Sequence, residues 1–410
     1  MTGINIKLTG TGIAEESLQA CKRLAEQEAV NLASTEEAFN GWVRWPFDMP
    51  KTLIDRMEKE AERIRGLCDT LVVIGIGGSY LGTEAILEAL GGERPGCPEI
   101  FFAGNSLSGA YHSRLLKRLE GRDFCVCMVS KSGTTMESRL AFEIIKELLF
   151  AKYGEAASER IVAVTDPERG ILRAEADDRG YSSFEIPQNI GGRYSSFTPA
   201  ILLPLAIAGI DIGALVRGAA EMAASDFIKG DGLGYATSRY ILMEEGKKVE
   251  AVEYFEPALD GLGEWIKQLF AESEGKEGKG LLPVTMTFST DLHSIGQFLQ
   301  EGSPIFFETV IRIRDAGEDV RIPDAIGGGL AGRGLGEINA LAVDGVINAH
   351  AKAGTPIIEI ELPRLDESTL GGFMYFLMVT TAVTSRLMGV DPFTQNGVEE
   401  YKSEIRALLG

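Results

Sequence analysis

From residue 70 onward, short apolar runs alternate with amphipathic stretches of helical length, and this alternation is the feature that most constrains the fold. The first runs are LVVIGIG (71–77), IFFAG (100–104), FCVCMV (124–129) and RIVAVT (160–165). Near-continuous apolar strands separated by helices are typical of a parallel sheet that helices cover on both faces. The sequence therefore predicts an α/β fold built on a mostly parallel sheet.

The second half of the chain repeats the same alternation. Its apolar runs are VEAVEYF (249–255), LPVTMTF (282–288), PIFFETVIRI (304–313) and PIIEIEL (356–362). At 410 residues the chain exceeds the size at which a single core keeps growing. We therefore expect two doubly wound α/β domains with helices on both faces. They are predicted to span 1–210, with a helical lead-in, and 211–410, with C-terminal helices.

The chain is strongly acidic, with 60 Asp and Glu residues against 40 Lys and Arg and a net charge of −20. Such a surface repels nucleic acid and anionic membranes, so neither is expected as a partner. The N-terminal stretch MTGINIKLTG lacks the pattern of a signal peptide, and no run of 18 apolar residues occurs, so a cytoplasmic location is expected. The five cysteines lack CxxC spacing and no HExxH motif occurs; no metal or redox cofactor is expected.

The loop after the first strand, GIGGSYLG (75–82), is rich in glycine and leads straight into a helix. Glycine lets the backbone approach a ligand closely, and a helix start offers unpaired N–H groups to an anion. The alternative is the dinucleotide fingerprint GxGxxG, which needs glycine or alanine at position 80, where the sequence has Tyr80. The loop therefore fits an anionic ligand better than it fits NAD.

A second loop, SKSGTT (130–135), lies between the strand FCVCMV and a helix. It combines four hydroxyl groups, a lysine and a glycine at a helix start, without the GxxxxGK[ST] pattern of a nucleotide-binding loop. An ordinary helix N-cap is the alternative explanation, but a cap needs only one hydroxyl. The loop therefore predicts a site for a monophosphate.

These two loops together resemble a sugar-isomerase (SIS) domain, and four later stretches extend the resemblance. NIGGRYSSFTPAILLPLAIAG (189–209) and GVDPFTQNGVEEYK (389–402) are similar to two signatures of the glucose-6-phosphate isomerase family. FAESEGK (270–276) and FSTDLHSIGQ (288–297) resemble its shorter bacterial members. The resemblance implies two SIS-type domains and isomerisation of glucose 6-phosphate and fructose 6-phosphate without a cofactor or metal. It also implies a homodimer with shared active sites.

The resemblance assigns roles residue by residue. Those implied to bind the sugar or its phosphate are Gly78, Ser79, Ser130, Lys131, Ser132, Thr135, Gly192, Gln268 and Gln395. Those implied to be catalytic are Arg193, Glu272, His293 and Lys402. Glu272 would move a proton between C1 and C2, while Arg193 would stabilise the developing negative charge. His293, with Lys402, would open the sugar ring.

Two positions depart from the family pattern. Thr394 stands where the family usually has aspartate before the glutamine, which puts the capping of the following helix in question. Ser132 and Gly133 are smaller than their counterparts in the longer eukaryotic members, as suits the short bacterial branch. Neither departure removes a chemical group that the reaction needs.

Without the resemblance, these side chains are less distinctive. His112 opens an amphipathic helix and His350 ends another, where a cation suits the helix dipole. A lone histidine is more often structural, but His293 follows a strand on the side of the sheet where ligands bind.

Arg193 begins a nearly uncharged helix and is predicted to face a ligand or a carboxylate. Lys402 alone would be a surface residue paired with a glutamate three residues earlier, at position 399.

The helix before residue 272 predicts where Glu272 faces. Leu262, Trp265, Ile266 and Leu269 recur at helical spacing and form a core-facing stripe. Gln268 and Glu272 are four residues apart, so they share a face that flanks the stripe and need not point into water. A carboxylate at such an edge can serve as a base. Glu274 is expected to point elsewhere and to tolerate substitution.

Two rival functions fit parts of the sequence. Another isomerase with two SIS domains, acting on an amino sugar phosphate, would share the loops but not the GGRYS and NGVEEYK stretches. A non-catalytic sugar-phosphate sensor normally adds a DNA-binding region, and this acidic chain shows no basic helix-turn-helix pattern at its N-terminus.

Overall fold

The computed structural model describes residues 3–34 and 37–409 and divides into two compact units. The middle unit is Thr35–Ala220, and the terminal unit joins Met1–Ser34 to Glu221–Gly410. None of the helices within the described residues is long and apolar enough to cross a membrane.

Strands and helices are numbered in chain order. The strands are β1 Asn5–Thr9, β2 Thr70–Ile74, β3 Glu99–Ala103, β4 Phe124–Val129, β5 Ile161–Thr165, β6 Ser182–Glu185, β7 Val249–Tyr254, β8 Leu282–Thr287, β9 Phe306–Asp315 and β10 Ile357–Arg364. The helices are α1 Glu15–Ser34, α2 Trp45–Asp48, α3 Lys51–Arg65, α4 Leu81–Ala89, α5 Gly109–Leu119, α6 Met136–Tyr153, α7 Ile171–Arg179, α8 Pro199–Ile207, α9 Ile212–Ala224, α10 Leu233–Glu244, α11 Asp260–Glu274, α12 Gly296–Glu301, α13 Leu335–Lys352, α14 Glu367–Leu387 and α15 Val398–Leu409.

The middle unit is built on a fully parallel sheet in the order β3-β2-β4-β5-β6. Every residue of β2 and β4 is buried, as their unbroken apolar sequences predict. Helices α5 and α6 pack on one face through residues such as Leu115 and Phe142, while α8 packs against β5. Because the strands are parallel, all their carboxyl ends lie at one edge, and the loops there are where ligands are expected.

The terminal unit has a mixed sheet in the order β1-β10-β9-β7-β8. Strands β7 to β10 are parallel to their neighbours, and β1 pairs with β10 in the antiparallel direction. Two α/β units with mostly parallel sheets and flanking helices confirm the predicted fold class.

The N-terminal segment with β1 and α1 belongs to a different unit from the one expected. We expected residues 1–210 to form one domain and 211–410 the other. In the structure β1 extends the sheet of the terminal unit, with Asn5 opposite Glu361, and α1 packs against α10 and α14. The lead-in therefore belongs with the C-terminal half of the chain, and α9 spans the point where the units divide, at residues 220 and 221.

One face of the terminal sheet buries two carboxylates against the helix α13. Glu253 on β7 is fully buried, and neither of its carboxylate oxygens has a hydrogen-bond partner among residues 3–34 and 37–409. Glu308 on β9 is also buried, with Oε1 lying 2.8 Å from Nδ1 of His350. Burial raises the pKa of Glu253 well above its usual value, and the neighbouring Glu308 raises it further. Glu253 is therefore expected to be held in its protonated form.

Glu253→Gln should stabilise the protein at alkaline pH, because glutamine imitates the protonated acid. A carboxyl group whose pKa is raised by folding adds its full share to the free energy of unfolding at pH values below the pKa of the unfolded state, near 4.5. That share is lost as the pH rises through the pKa of the folded state. The free energy of unfolding of Glu253→Gln relative to the wild type should therefore increase between about pH 5 and pH 8. Denaturant unfolding at both pH values measures this difference. Glu245→Gln, which alters an exposed carboxylate of the same unit, is the control and should give no such trend.

Candidate active site

The glycine-rich loop after β2 makes a turn that packs directly on a second loop of the middle unit. A Cβ added to Gly78 would lie 2.1 Å from the carbonyl oxygen of Gly192 and 2.8 Å from the nitrogen of Arg193. The hydroxyl of Ser195 joins the same two loops, since it lies 3.0 Å from Gly78 O and 2.6 Å from Gly192 O. Only glycine fits at position 78. Ser195 holds the two loops together and was not among the predicted site residues, although it lies within the quoted NIGGRYSSFTPAILLPLAIAG stretch.

Two helices of the middle unit start at this edge of the sheet without a side-chain cap. Neither Tyr80, before α4, nor Thr135, before α6, makes a capping hydrogen bond through its side chain. The first N–H groups of a helix have no partner within the helix. Both helix starts therefore offer donors to an anion. The half-buried Ser79 lies two residues before the first residue of α4.

The loop after β4 closes on itself through Ser130. The buried hydroxyl of Ser130 accepts a hydrogen bond from the backbone N–H of Gly133 at 3.0 Å. Gly133 has φ +72°, and an added Cβ would lie 2.6 Å from the nitrogen of Leu172. A residue other than glycine would therefore be both strained and crowded there. Ser130 thus shapes the loop from within.

The other three hydroxyl-bearing residues of this loop are exposed or half-buried. Ser132 is exposed, and its Oγ lies 2.7 Å from Oγ1 of Thr134. Thr135 is half-buried and precedes α6 without capping it. An ordinary N-cap would have used the Thr135 hydroxyl for the helix. The capping alternative therefore does not account for the Thr135 hydroxyl.

Lys131 is committed to the protein backbone in this structure. Its ammonium group donates to the carbonyl oxygens of Gln188 at 2.8 Å and Ile190 at 3.3 Å. Burial lowers the pKa of Lys131, and Asp166 opposes this effect. Lys131 thus fastens the loop to the segment before Gly192 and contributes positive charge at short range.

Arg193 lies in the short 3₁₀ turn Gly192–Tyr194, and the uncharged helix that was predicted to begin at Arg193 begins only at Pro199, as α8. Arg193 is 4% exposed, and the neighbouring Tyr194 stacks on Trp42 with ring centroids 4.8 Å apart. A Cβ added to Gly192 would meet no atom within 4 Å, so the space beside its backbone is open. A buried guanidinium next to open backbone suits the recognition of a negatively charged group.

In the terminal unit, Gln268 and Glu272 share one face of α11, as their spacing predicts. The Gln268 side chain donates from Nε2 to Oε2 of Glu272 at 3.2 Å. Both residues are half-buried, while Trp265 and Leu269 on the adjacent stripe are buried in the core. Glu272 is therefore not a core residue, and its carboxylate already has one hydrogen-bond donor.

Glu274 points elsewhere than Glu272, as expected, but it points into the core, so substitution there is not expected to be tolerated. This residue is 0% exposed, and both of its carboxylate oxygens accept hydrogen bonds from Arg239, at 2.6 and 3.1 Å. Burial raises the pKa of Glu274 to about 7, although Arg239 opposes the effect. Glu274 cannot serve as a neutral control. The sequence offers one hint of this network: Glu250 is a charged residue in a strand predicted to be buried on both faces, so it needs a buried partner.

His293 lies in a short turn that follows β8. Residues Asp291–His293 form a single 3₁₀ turn, and Asp291 fixes it to the strand end by accepting from the backbone N–H of Thr287 at 2.8 Å. His293 itself is exposed. The structure therefore places this histidine at the carboxyl end of β8, as predicted, and on the surface of the single chain.

The two C-terminal candidates lie on and before α15. Lys402 donates to Oε1 of Glu399 at 2.9 Å, which confirms the helical partner expected from spacing. Gln395 is exposed and precedes the helix, and its carbonyl accepts from the N–H of Val398 at 3.3 Å. No residue of α15 is buried. Within the described residues, no three His, Cys, Asp or Glu side chains are grouped as metal ligands.

Fold and loops together define the class, an α/β protein of the SIS type with two mostly parallel sheets. A family model for phosphoglucose isomerase matches residues 62–296. Glucose-6-phosphate isomerase of Lactobacillus helveticus is 44% identical over 408 residues, covering 96% of this chain and 91% of the relative. That of Symbiobacterium thermophilum is 44% identical over 390 residues, covering 91% and 87%. The chain belongs to the phosphoglucose isomerase family.

Two solved structures resemble the fold over its whole length. A hypothetical protein from Thermus thermophilus matches with a TM-score of 0.89 and 29% identity, covering 99% of this chain and 100% of that one. A glucose-6-phosphate isomerase from Chlamydia trachomatis matches with a TM-score of 0.85 and 19% identity, covering 100% and 89%. The second likeness is one of fold alone.

Proposed function

We infer that this protein catalyses the reversible isomerisation of D-glucose 6-phosphate and D-fructose 6-phosphate. Family membership carries this inference, because the identity extends over nearly the whole chain rather than over one motif. The exposed and half-buried hydroxyl residues of the Ser130–Thr135 loop and the start of α6, which no side chain caps, would suit a phosphate group. The rival activities, an amino sugar phosphate isomerase and a non-catalytic sensor, have no comparable support.

We propose catalytic roles that follow the chemistry of aldose–ketose conversion. Glu272 takes the proton from one carbon of the opened sugar and returns it to the neighbouring carbon, as a general base and then an acid. Arg193 stabilises the negative charge that develops on the sugar oxygens. His293 transfers the proton that opens the ring, with Lys402 as its cationic partner. The setting of Glu272 at the edge of the core keeps its carboxylate accessible to a substrate.

The decisive test of the activity is a coupled assay. Fructose 6-phosphate is added to the purified protein, and the glucose 6-phosphate formed is measured with glucose-6-phosphate dehydrogenase. Turnover is expected with this substrate and not with glucosamine 6-phosphate. Binding of sugar phosphates without turnover would instead favour the sensor.

Removing a hydroxyl from the Ser130–Thr135 loop should weaken binding of the phosphate group. Thr135→Ala should raise KM for fructose 6-phosphate by about 10-fold or more, because a hydrogen bond to a charged group contributes roughly 1.5–3 kcal/mol. Ser132→Ala should act in the same direction. Thr135→Ala is the cleaner variant, since its hydroxyl does not cap α6.

The control for these variants is Ser113→Ala, which removes an exposed hydroxyl from α5 of the same unit. Its KM should equal that of the wild type. Inhibition by other sugar phosphates provides a second readout that does not depend on turnover. Unchanged KM and unchanged inhibition in both loop variants would mean that the phosphate binds elsewhere.

We also propose that the protein is a cytoplasmic homodimer in which each active site uses His293 from the partner subunit. In the single chain His293 is exposed, and so are apolar side chains that a partner would cover. Tyr401 and Leu408 on α15 are 55% and 88% exposed, and Val320 and Ile326 in the segment before α13 are 67% and 60% exposed. Burying such apolar side chains against a partner would favour association.

A further inference from the structure

The last turn of α11 is held by a buried network of charged side chains. Arg239 on α10 is 0% exposed and grips Glu274 with both Nη atoms, at 2.6 and 3.1 Å. Its Nε donates to Oε2 of Glu250 on β7 at 2.7 Å. One arginine therefore fixes the end of α11 to a neighbouring helix and to the central part of the sheet.

Glu250 extends this network to a fourth element. Its Oε1 accepts from the hydroxyl of Tyr235 on α10 and from the hydroxyl of Thr309 on β9, both at 2.7 Å. The planar guanidinium group of Arg239 donates to both carboxylates in fixed directions, so these side chains have a single favourable arrangement. A buried ionic network is seldom more stabilising than an apolar cluster of equal volume, so stability alone is a weak reason for it.

What the network anchors is the part of α11 that carries Glu272. Helix ends fray unless they are anchored, and α11 is followed by a glycine-rich segment, GKEGKG (275–280). Phe270 lies beneath the guanidinium, with its ring centroid 4.2 Å from Arg239 Cζ, on the same helical face as Glu274. Glu272 is two residues from Glu274, about 200° around the helix. Because both residues lie in the last turn of α11, holding Glu274 in place also fixes the direction in which Glu272 points.

We propose that Arg239 and Glu274 are positioning residues for proton transfer, acting by holding the last turn of α11 so that the Glu272 carboxylate stays aligned with the substrate carbons. This inference rests on the proposed function and deepens it. Neither residue is proposed to touch the substrate. Their fully buried side chains act only through the backbone of α11.

The first test separates kcat from KM. Glu274→Gln keeps the shape of the side chain but replaces one of the two oxygens that accept from Arg239 with an NH₂ group, and Glu274→Ala removes both oxygens. Misplacement of a reacting group by about 1 Å can cost ~10²-fold in rate, so kcat should fall ~10-fold in Glu274→Gln and further in Glu274→Ala. KM for fructose 6-phosphate should change by less than ~3-fold, because the proposed phosphate contacts come from other residues.

A stability-matched control distinguishes positioning from general damage. Val343→Ala opens a cavity in the core beneath α13, on the opposite face of the terminal sheet, and should lower the melting temperature without changing kcat. All variants are assayed well below their melting temperatures. Arg239→Lys keeps the charge but loses the fork, so it too should lower kcat if geometry is what matters.

The outcomes are distinct. The inference is supported if kcat falls in both Glu274→Gln and Arg239→Lys while their KM stays unchanged, and if Val343→Ala keeps the kcat of the wild type. If Glu274→Ala fails to fold, Glu274→Gln decides. Wild-type kcat in folded Glu274→Gln and Arg239→Lys overturns the inference and leaves the proposed function intact. A wild-type protein that does not isomerise fructose 6-phosphate overturns the proposed function, and this inference with it.

Discussion

Glu272→Gln is expected to lower kcat by at least ~10²-fold and by as much as ~10⁴-fold, which is the usual contribution of a positioned base. Glutamine keeps the size of the side chain and the contact with Gln268, but it cannot accept the substrate proton. Folding and sugar-phosphate binding should survive. Exchange of the C2 hydrogen of the substrate with solvent, followed by NMR in heavy water, should stop.

The matched control is Glu264→Gln on the same helix. Glu264 has a side chain that is 54% exposed, and it pairs with Lys267 one turn later. Removing its charge should leave kcat unchanged. If Glu272→Gln still exchanges the C2 hydrogen at the wild-type rate, the base is another residue, and Glu272 is only a charge near a helix end.

Mixing two inactive variants should restore activity if active sites are shared between subunits. His293→Ala and Glu272→Gln chains are each expected to be nearly inactive alone. In a two-fold dimer that combines one chain of each kind, one of the two sites regains both groups, so about half of the wild-type activity per dimer should return. The mixture is unfolded and reassembled, and heterodimers are isolated by distinct tags before the coupled assay.

The control mixture combines Glu272→Gln with the double variant Glu272→Gln/His293→Ala. No dimer of this mixture contains a site with both groups, so no activity should return. Equal inactivity in verified heterodimers of the first mixture would show that each site takes both residues from one chain.

The sequence predicted much of the fold because local patterns carried the information. The all-buried strands β2 and β4 follow from their unbroken apolar runs, and the shared face of Gln268 and Glu272 follows from helical spacing. The Ser130–Thr135 loop was predicted from its hydroxyl groups and its place between a strand and a helix. In each case the residues that decide the structure are neighbours in the chain.

Only the tertiary structure decided the surroundings of the buried charges and the place of the N-terminus. In the sequence Glu274 looks like one more charge at the end of a helix. It can be buried because the guanidinium group of Arg239, 35 residues earlier, donates hydrogen bonds to both of its carboxylate oxygens. Glu250 meets Thr309, which lies 59 residues away, and β1 pairs with β10 across almost the entire chain. Periodicity reports which way a side chain faces. Whether a partner lies there depends on contacts between residues far apart in sequence, which no local pattern encodes.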